Sequence, residues 1–182
     1  MAVLLSVTTS VRRNPFEQAL IEPILRTLAD PAKHGLGAEE GLGIVVLHRA
    51  QRAAQRQSFP QLYILDPASG LPVRSAIDTV ERFQGGERTV IFVSATESDR
   101  AYLLESGEFL LDPRRLTVAL SRAKRKLILV ASESVFGLFS PDDEAFANSQ
   151  LWKNLLLRTC TTQLWQGTRE GQPVTVWGGR AT

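Results

Sequence analysis

The chain has 182 residues, 43% hydrophobic and 22% charged, with a formal net charge of +2. That is the make-up of one globular domain with a full core, and the charge excludes a strongly basic nucleic-acid glue. One cysteine, Cys160, and two histidines, His34 and His48, exclude a disulfide framework and argue against a metal site.

The predicted elements run as follows. Residues 3–7 are a short apolar run and read as a strand. Asn14-Pro15 opens a helix: Asn14 can cap it, Pro15 suits its first position, and Glu17 can close a capping box. Leu20, Ile21, Ile24, Leu25 and Leu28 continue it at helical spacing. Residues 29–43 read as a loop, 44–47 as a buried strand and 49–57 as a polar helix. A short strand at 62–65 and a Pro-Ala-Ser-Gly turn follow. Strands at 73–77 and 89–95 flank the turn Phe83-Gln84-Gly85-Gly86. Asp112-Pro113 caps a helix running to about Arg122, and 126–131 is a strand. Asp142, Asp143 and Glu144 start a last helix, where carboxylates favour the dipole. Along it Leu151 and Leu155, and Trp152 and Leu156, pair at four-residue spacing. Residues 161–165 and 174–177 flank a glycine-containing turn as a terminal hairpin. Buried-type strands alternating with helices predict an α/β fold: a mostly parallel sheet with helices on both faces, plus a C-terminal helix and a small hairpin. One domain is expected over 1–182, with a core at about 3–158 and an appended hairpin at about 161–178. No apolar run approaches the ~20 residues that cross a bilayer, and residues 1–6 lack the basic start of a signal peptide. The expectation is a cytoplasmic protein without membrane contact.

No G-x-x-x-x-G-K-[ST] is present, so the chain carries no phosphate loop of that type. Gly35-Leu36-Gly37 does not complete G-x-G-x-x-G, because Glu40 stands in the last place. The chemistry the chain does offer is charge. Arg115, Val118 and Arg122 recur at i, i+3, i+7, one face of the predicted helix, beside an apolar face of Leu116, Ala119, Leu120 and Ala123. A guanidinium forks onto phosphate oxygens and, against a γ-phosphate, offsets transition-state charge. The same residues also suit ordinary cations at a helix end. Gly85 and Gly86 let backbone N–H groups approach an anion, and Gln84 and Glu87 add hydrogen bonds to a ribose or an arginine; a plain strand connection uses the same glycines. Asp78-Thr79 also suits a helix cap. Arg49 and Arg52 open a helix after a strand, fit for a phosphate contact or for a solvated face.

Four segments together resemble a known family. Thr79-Val-Glu-Arg-Phe-Gln-Gly-Gly-Glu87 is similar to the motif V pattern T-V-D-x-F-Q-G-x-E of superfamily 1 helicases of the superfamily 1B kind. Arg114-Arg-Leu-Thr-Val-Ala-Leu-Ser-Arg-Ala-Lys124 is similar to their motif VI, R-R-L-N-V-A-L-T-R-A-R. Leu47-His-Arg-Ala-Gln51 resembles motif IV, P-Y-R-A-Q, and Asn14-Pro-Phe-Glu-Gln-Ala19 resembles the N-x-x-E-A that opens the second motor domain. The four stand in family order over about residues 3–131. Glu81, Thr117, Ser121 and Lys124 are mild departures, while His48 replaces a tyrosine.

The resemblance implies the second RecA-like domain of an ATP-dependent helicase, a P-loop-type fold without the loop itself. It implies ATP with Mg²⁺ bound mainly by a first RecA-like domain of the same, longer polypeptide, and single-stranded nucleic acid, DNA ahead of RNA, tracked across both. It makes Arg122 the arginine finger, with Arg52 and Arg49 as candidates for the motif IV phosphate contact. It assigns Gln84, Gly85, Gly86, Glu87 and Arg115 to the nucleotide, and Thr79 and Arg82 to the nucleic acid. The isolated chain is expected to be inactive. The rival from another class is a helicase-like module that binds nucleic acid or protein without hydrolysing anything.

Overall fold

Apolar runs too long for a one-sided strand build the centre of the molecule. In the computed structural model, which describes residues 1–7, 9–83, 86–106, 110, 112–139 and 142–179, five of them lie parallel. They are β1 (Ala2–Leu5), β2 (Leu42–Val46), β5 (Ile77–Thr79), β6 (Arg88–Ser94) and β7 (Ala123–Ser132), in the order β5-β2-β6-β7-β1. Register is set by matched apolar positions, with Ile44 opposite Phe92, Val93 opposite Leu129 and Val3 opposite Val130. Alternate residues serve opposite faces, as strand geometry requires. Val3, Leu5, Ile44, Val46, Phe92 and Val130 pack with Phe16, Ile21 and Leu25 of α1 (Pro15–Ala29). Leu4, Val45, Ile91, Val93 and Leu129 pack on the other side. There they meet Leu116 and Ala119 of α4 (Pro113–Leu120), Leu103 of α3 (Arg100–Ser106), Phe136 of α5 (Glu133–Phe136) and Trp152 of α6 (Asp143–Asn154). This is the mostly parallel, doubly covered RecA-like α/β architecture expected.

Several elements differ from the sequence expectation. The expected strand at 73–77 divides. β4 (Pro72–Ser75) pairs with β3 (Tyr63–Leu65) in a separate ribbon, while β5 joins the main sheet beside β2. The break falls at Ala76, whose N–H donates to Leu62 O and whose carbonyl accepts from Ile44 N. The hairpin, β8 (Thr162–Arg169) and β9 (Gln172–Gly178), is not a separate appendage. β9 pairs antiparallel with β1, Val3 opposite Val176, so the hairpin extends the sheet to seven strands. α6 continues as a π turn at Leu155–Thr159, and its buried Trp152 donates Nε1–H to Leu110 O at 3.2 Å. α3 and α5 are short, and neither announced itself in the pattern.

Asn14 caps α1 as expected, its side chain accepting from Glu17 N at 3.1 Å. Glu17 does not close the capping box, because Asn14 N donates instead to Gln51 Oε1 at 2.9 Å. The Glu17 carboxylate turns inward to the end of β6. No helix among the described residues is long and apolar enough to cross a membrane.

Candidate functional site

The turn after β5 carries motif V back to the start of β6. Thr79 closes β5, its carbonyl accepting from both Arg82 N and Phe83 N, and the buried Phe83 ring anchors the turn. Room for that ring comes from β2. A Cβ on Gly43 would lie 2.8 Å from Phe83 Cζ and 3.0 Å from Arg88 Cγ. Arg88, the first residue of β6, lies over the Phe83 ring at 5.7 Å. Its Nε donates to Ala38 O at 2.9 Å and its Nη1 to Glu87 O at 2.8 Å.

Where β6 and β7 begin, a polar cavity of about 510 Å³ opens. From β5 it is lined by Asp78, from motif V by Arg82, Phe83, Gly86 and Glu87, and from motif VI by Arg122 and Lys124. Arg74 and Arg88 add two cations, and Glu39 and Glu40 two carboxylates. Lining residues as far apart in sequence as Glu87 and Arg122 thus share one charged concavity that neither segment builds alone.

Arg122 does not ride on the helix. α4 ends at Leu120, and Arg122 stands in the turn before β7, its carbonyl accepting from Arg88 N at 2.9 Å. The helix stops because the chain must reverse into β7. Ser121 N and Arg122 N are already bound back to Thr117 O and Ala119 O, and Ser121 Oγ donates to Val118 O. Arg122 therefore does not share a helical edge with Arg115. Among the described residues only Arg122 Nε is engaged, with Val118 O at 3.1 Å. That leaves the guanidinium fork to the cavity. Arg115 turns instead to Glu81 at 2.8 Å and Asp112 at 3.5 Å, tying motif VI to motif V outside the cavity lining.

The remaining expected residues divide. Arg52 Nη1 meets Asp78 Oδ1 at 2.8 Å, which sets this one of the two motif IV candidates against a carboxylate of the cavity wall. Arg49 is exposed and engages no side chain among the described residues. Thr79 is buried, whereas Arg82 is exposed on the cavity beside Glu87 and Arg122. Gly86 lines the cavity without a positive φ, and a Cβ there would sit 3.5 Å from Arg88 Nη1, an ordinary contact. Gln84 and Gly85 lie outside the described residues.

Residues the motif reading passed over matter here. Arg56 is one: it pairs with Asp78 Oδ2 at 3.0 Å and donates to Ile77 O at 3.0 Å. Arg52 and Arg56 stand four apart on α2 (Arg49–Ser58), the spacing that aims two side chains at one target, and that was the available signal. At the other end of β6, Thr96 has φ 70° and both its N–H and Ser94 Oγ bind the buried Glu17 carboxylate. Burial pushes Glu17 up to about 8, against the pull of Ser94 and the Thr96 N–H. Buried Glu97 pairs with His48 at the start of α2.

The protein family described as AAA domain matches residues 6–134. The chain is 30% identical over 127 residues to DNA replication ATP-dependent helicase/nuclease DNA2 of Saccharomyces cerevisiae, covering 70% of this chain and 8% of that protein. It is 35% identical over 124 residues to Regulator of nonsense transcripts 1 homolog of Drosophila melanogaster, covering 68% and 9%. Against ATP-dependent helicase NAM7 of Saccharomyces cerevisiae the identity is 30% over 118 residues, covering 65% and 11%. The chain thus spans about a tenth of the length of these relatives. The matched span holds every motif that builds the cavity, and the chain belongs to this family as a C-terminal RecA-like domain of the superfamily 1 helicases.

Proposed function

We propose that the chain is the second motor domain of an ATP-dependent nucleic-acid helicase or translocase, and that its cavity is the half-site it offers to ATP. The observation that carries this is the meeting of motif V and motif VI in one cavity, with the Arg122 fork unengaged among the described residues. A phosphate suits such a wall, since guanidinium groups fork onto its oxygens, and Glu87 in the same lining offers an acceptor to a ribose hydroxyl. ATP when bound supplies the phosphoryl group whose transfer to water drives the motor. Arg122 meets the negative charge that builds on that group, and Arg52 is the second contact. Asp78 is already taken by two guanidinium groups and by Thr79 N–H, which leaves it a poor ligand for Mg²⁺. The ion is accordingly assigned to acids of a first RecA-like domain in the same polypeptide. Single-stranded nucleic acid is the track, DNA ahead of RNA because the DNA2 relative is named for DNA replication. Cytoplasmic location is part of the same proposal.

The test is Arg122→Ala in the polypeptide that joins this domain to a first motor domain. The expected result is a fall in kcat of roughly 10³–10⁵, the range of arginine fingers in other phosphoryl-transfer enzymes, with a much smaller change in nucleotide affinity. Unchanged turnover would reduce Arg122 to an ordinary cation of the turn before β7 and favour the non-hydrolysing module.

A further inference from the structure

The Asp78 carboxylate, in the middle of β5, gathers three donors. Oδ1 accepts from Arg52 Nη1 at 2.8 Å and from Thr79 N at 2.9 Å, and Oδ2 accepts from Arg56 Nη2 at 3.0 Å. Arg56 is fixed in turn by its Nε–H to Ile77 O at 3.0 Å, one residue before Asp78 on the same strand. The three side chains are 18–28% exposed, sheltered enough for the pairs to hold a geometry. Arg56 and the Thr79 N–H hold the carboxylate whether or not Arg52 is bound to it. Asp78 is therefore a fixed post, and Arg52 is the member free to share its fork with a second anion. A guanidinium has five donors, and this pair uses one of them. The post stands in the wall of the cavity onto which Arg122 opens. Arg49, three residues earlier and exposed, has no such support among the described residues.

We infer that Asp78, braced by Arg56, is a positioning residue that holds Arg52, and not Arg49, ready for a nucleotide phosphate. The inference rests on the half-site reading above. Binding then adds phosphate oxygens to an arginine whose rotamer is already chosen, so the ordering cost falls before the chemical step. Asp78 itself and its two arginine partners, Arg52 and Arg56, lie outside the motif V pattern, which begins at Thr79.

The experiment is a double-mutant cycle in the polypeptide that carries both motor domains, with Asp78→Asn and Arg52→Ala made singly and together. kcat and KM for ATP are measured with single-stranded DNA present. Asp78→Asn keeps the shape of the side chain and removes its charge, so it tests positioning without opening a cavity; Asp78→Ser serves if the asparagine fails to fold. Misplacing a group at the reacting centre costs up to roughly 100-fold. The expected result is a kcat loss of that order for Asp78→Asn, most of which vanishes in the Arg52→Ala background. Losses that multiply independently would overturn the inference and make Asp78 merely structural, as would an Asp78→Asn enzyme with normal kcat. A silent Arg52→Ala beside a damaging Arg49→Ala would overturn the choice of arginine. If Arg122→Ala were silent too, the half-site reading would fall with it.

Discussion

Glu17 shows how one residue can match a motif in sequence and serve another purpose in the fold. At the start of α1 it looks like a capping-box partner, yet it is fully buried and clamps the end of β6. Thr96 there is β-branched with φ 70°, a conformation such residues rarely hold unless something over-determines it. Two carboxylate oxygens on its N–H supply that constraint. The burial has a pH consequence. The carboxyl binds its proton near 8 when folded and near its ordinary 4.5 when unfolded. Between those values the folded protein retains a proton the unfolded chain has released. The contribution is fully present below about 4.5 and is lost as pH rises towards 8, by roughly 1.4 kcal/mol per unit. Denaturant unfolding at a series of pH values should show this decline, and Glu17→Gln should flatten it. Equal slopes in the two proteins would mean that Glu17 does not titrate in this window.

At the scale of elements, the turn between β5 and β6 depends on a glycine outside it. Gly43 sits on β2, and its missing side chain is the space that Phe83 and Arg88 occupy. Gly43→Ala forces the Phe83 ring, Arg88 and Ile91 to give way, an overpacking cost of about 1–3 kcal/mol. Gly86→Ala, inside the motif itself, meets only ordinary contacts and should stay within about 0.5 kcal/mol. Chemical denaturation of the two variants side by side checks the ranking, and the reverse order would refute it. Capping was readable from local chemistry: Asn14 and Asp112 both cap their helices through side-chain oxygens. The end of α4 was not, because Leu120, Ser121 and Arg122 all tolerate a helix. It is β7, pairing Ala123 with Arg88, that pulls the chain out of it.

At the scale of the whole molecule, the proposed half-site makes the cavity one wall of a larger site. Its charge is mixed, the chain's net charge is only +2, and no phosphate loop lies within it. The purified 182-residue chain should therefore show negligible ATPase. Its affinity for single-stranded DNA should be weak, indifferent to base sequence and steeply reduced by salt, since backbone phosphates are what a motor track reads. Titration of labelled mixed and homopolymer strands at two salt concentrations measures this. Tight binding to one sequence that survives high salt would point to a specific binding module.

The apolar runs and their alternation with capped helices were enough to determine a parallel sheet covered on both sides, because burial of both strand faces leaves a continuous hydrophobic signature. Four short motifs in order were enough to determine the family. Tertiary structure decided which charges meet. Arg52 and Asp78 lie 26 residues apart, and their pairing depends on α2 lying along β5. Arg115 and Arg122, close in sequence, are sent to different neighbours by a helix that ends between them. A side chain's partner is set by the strand order and by where each element stops. Local sequence does not encode those, because the forces that fix them act between segments far apart along the chain.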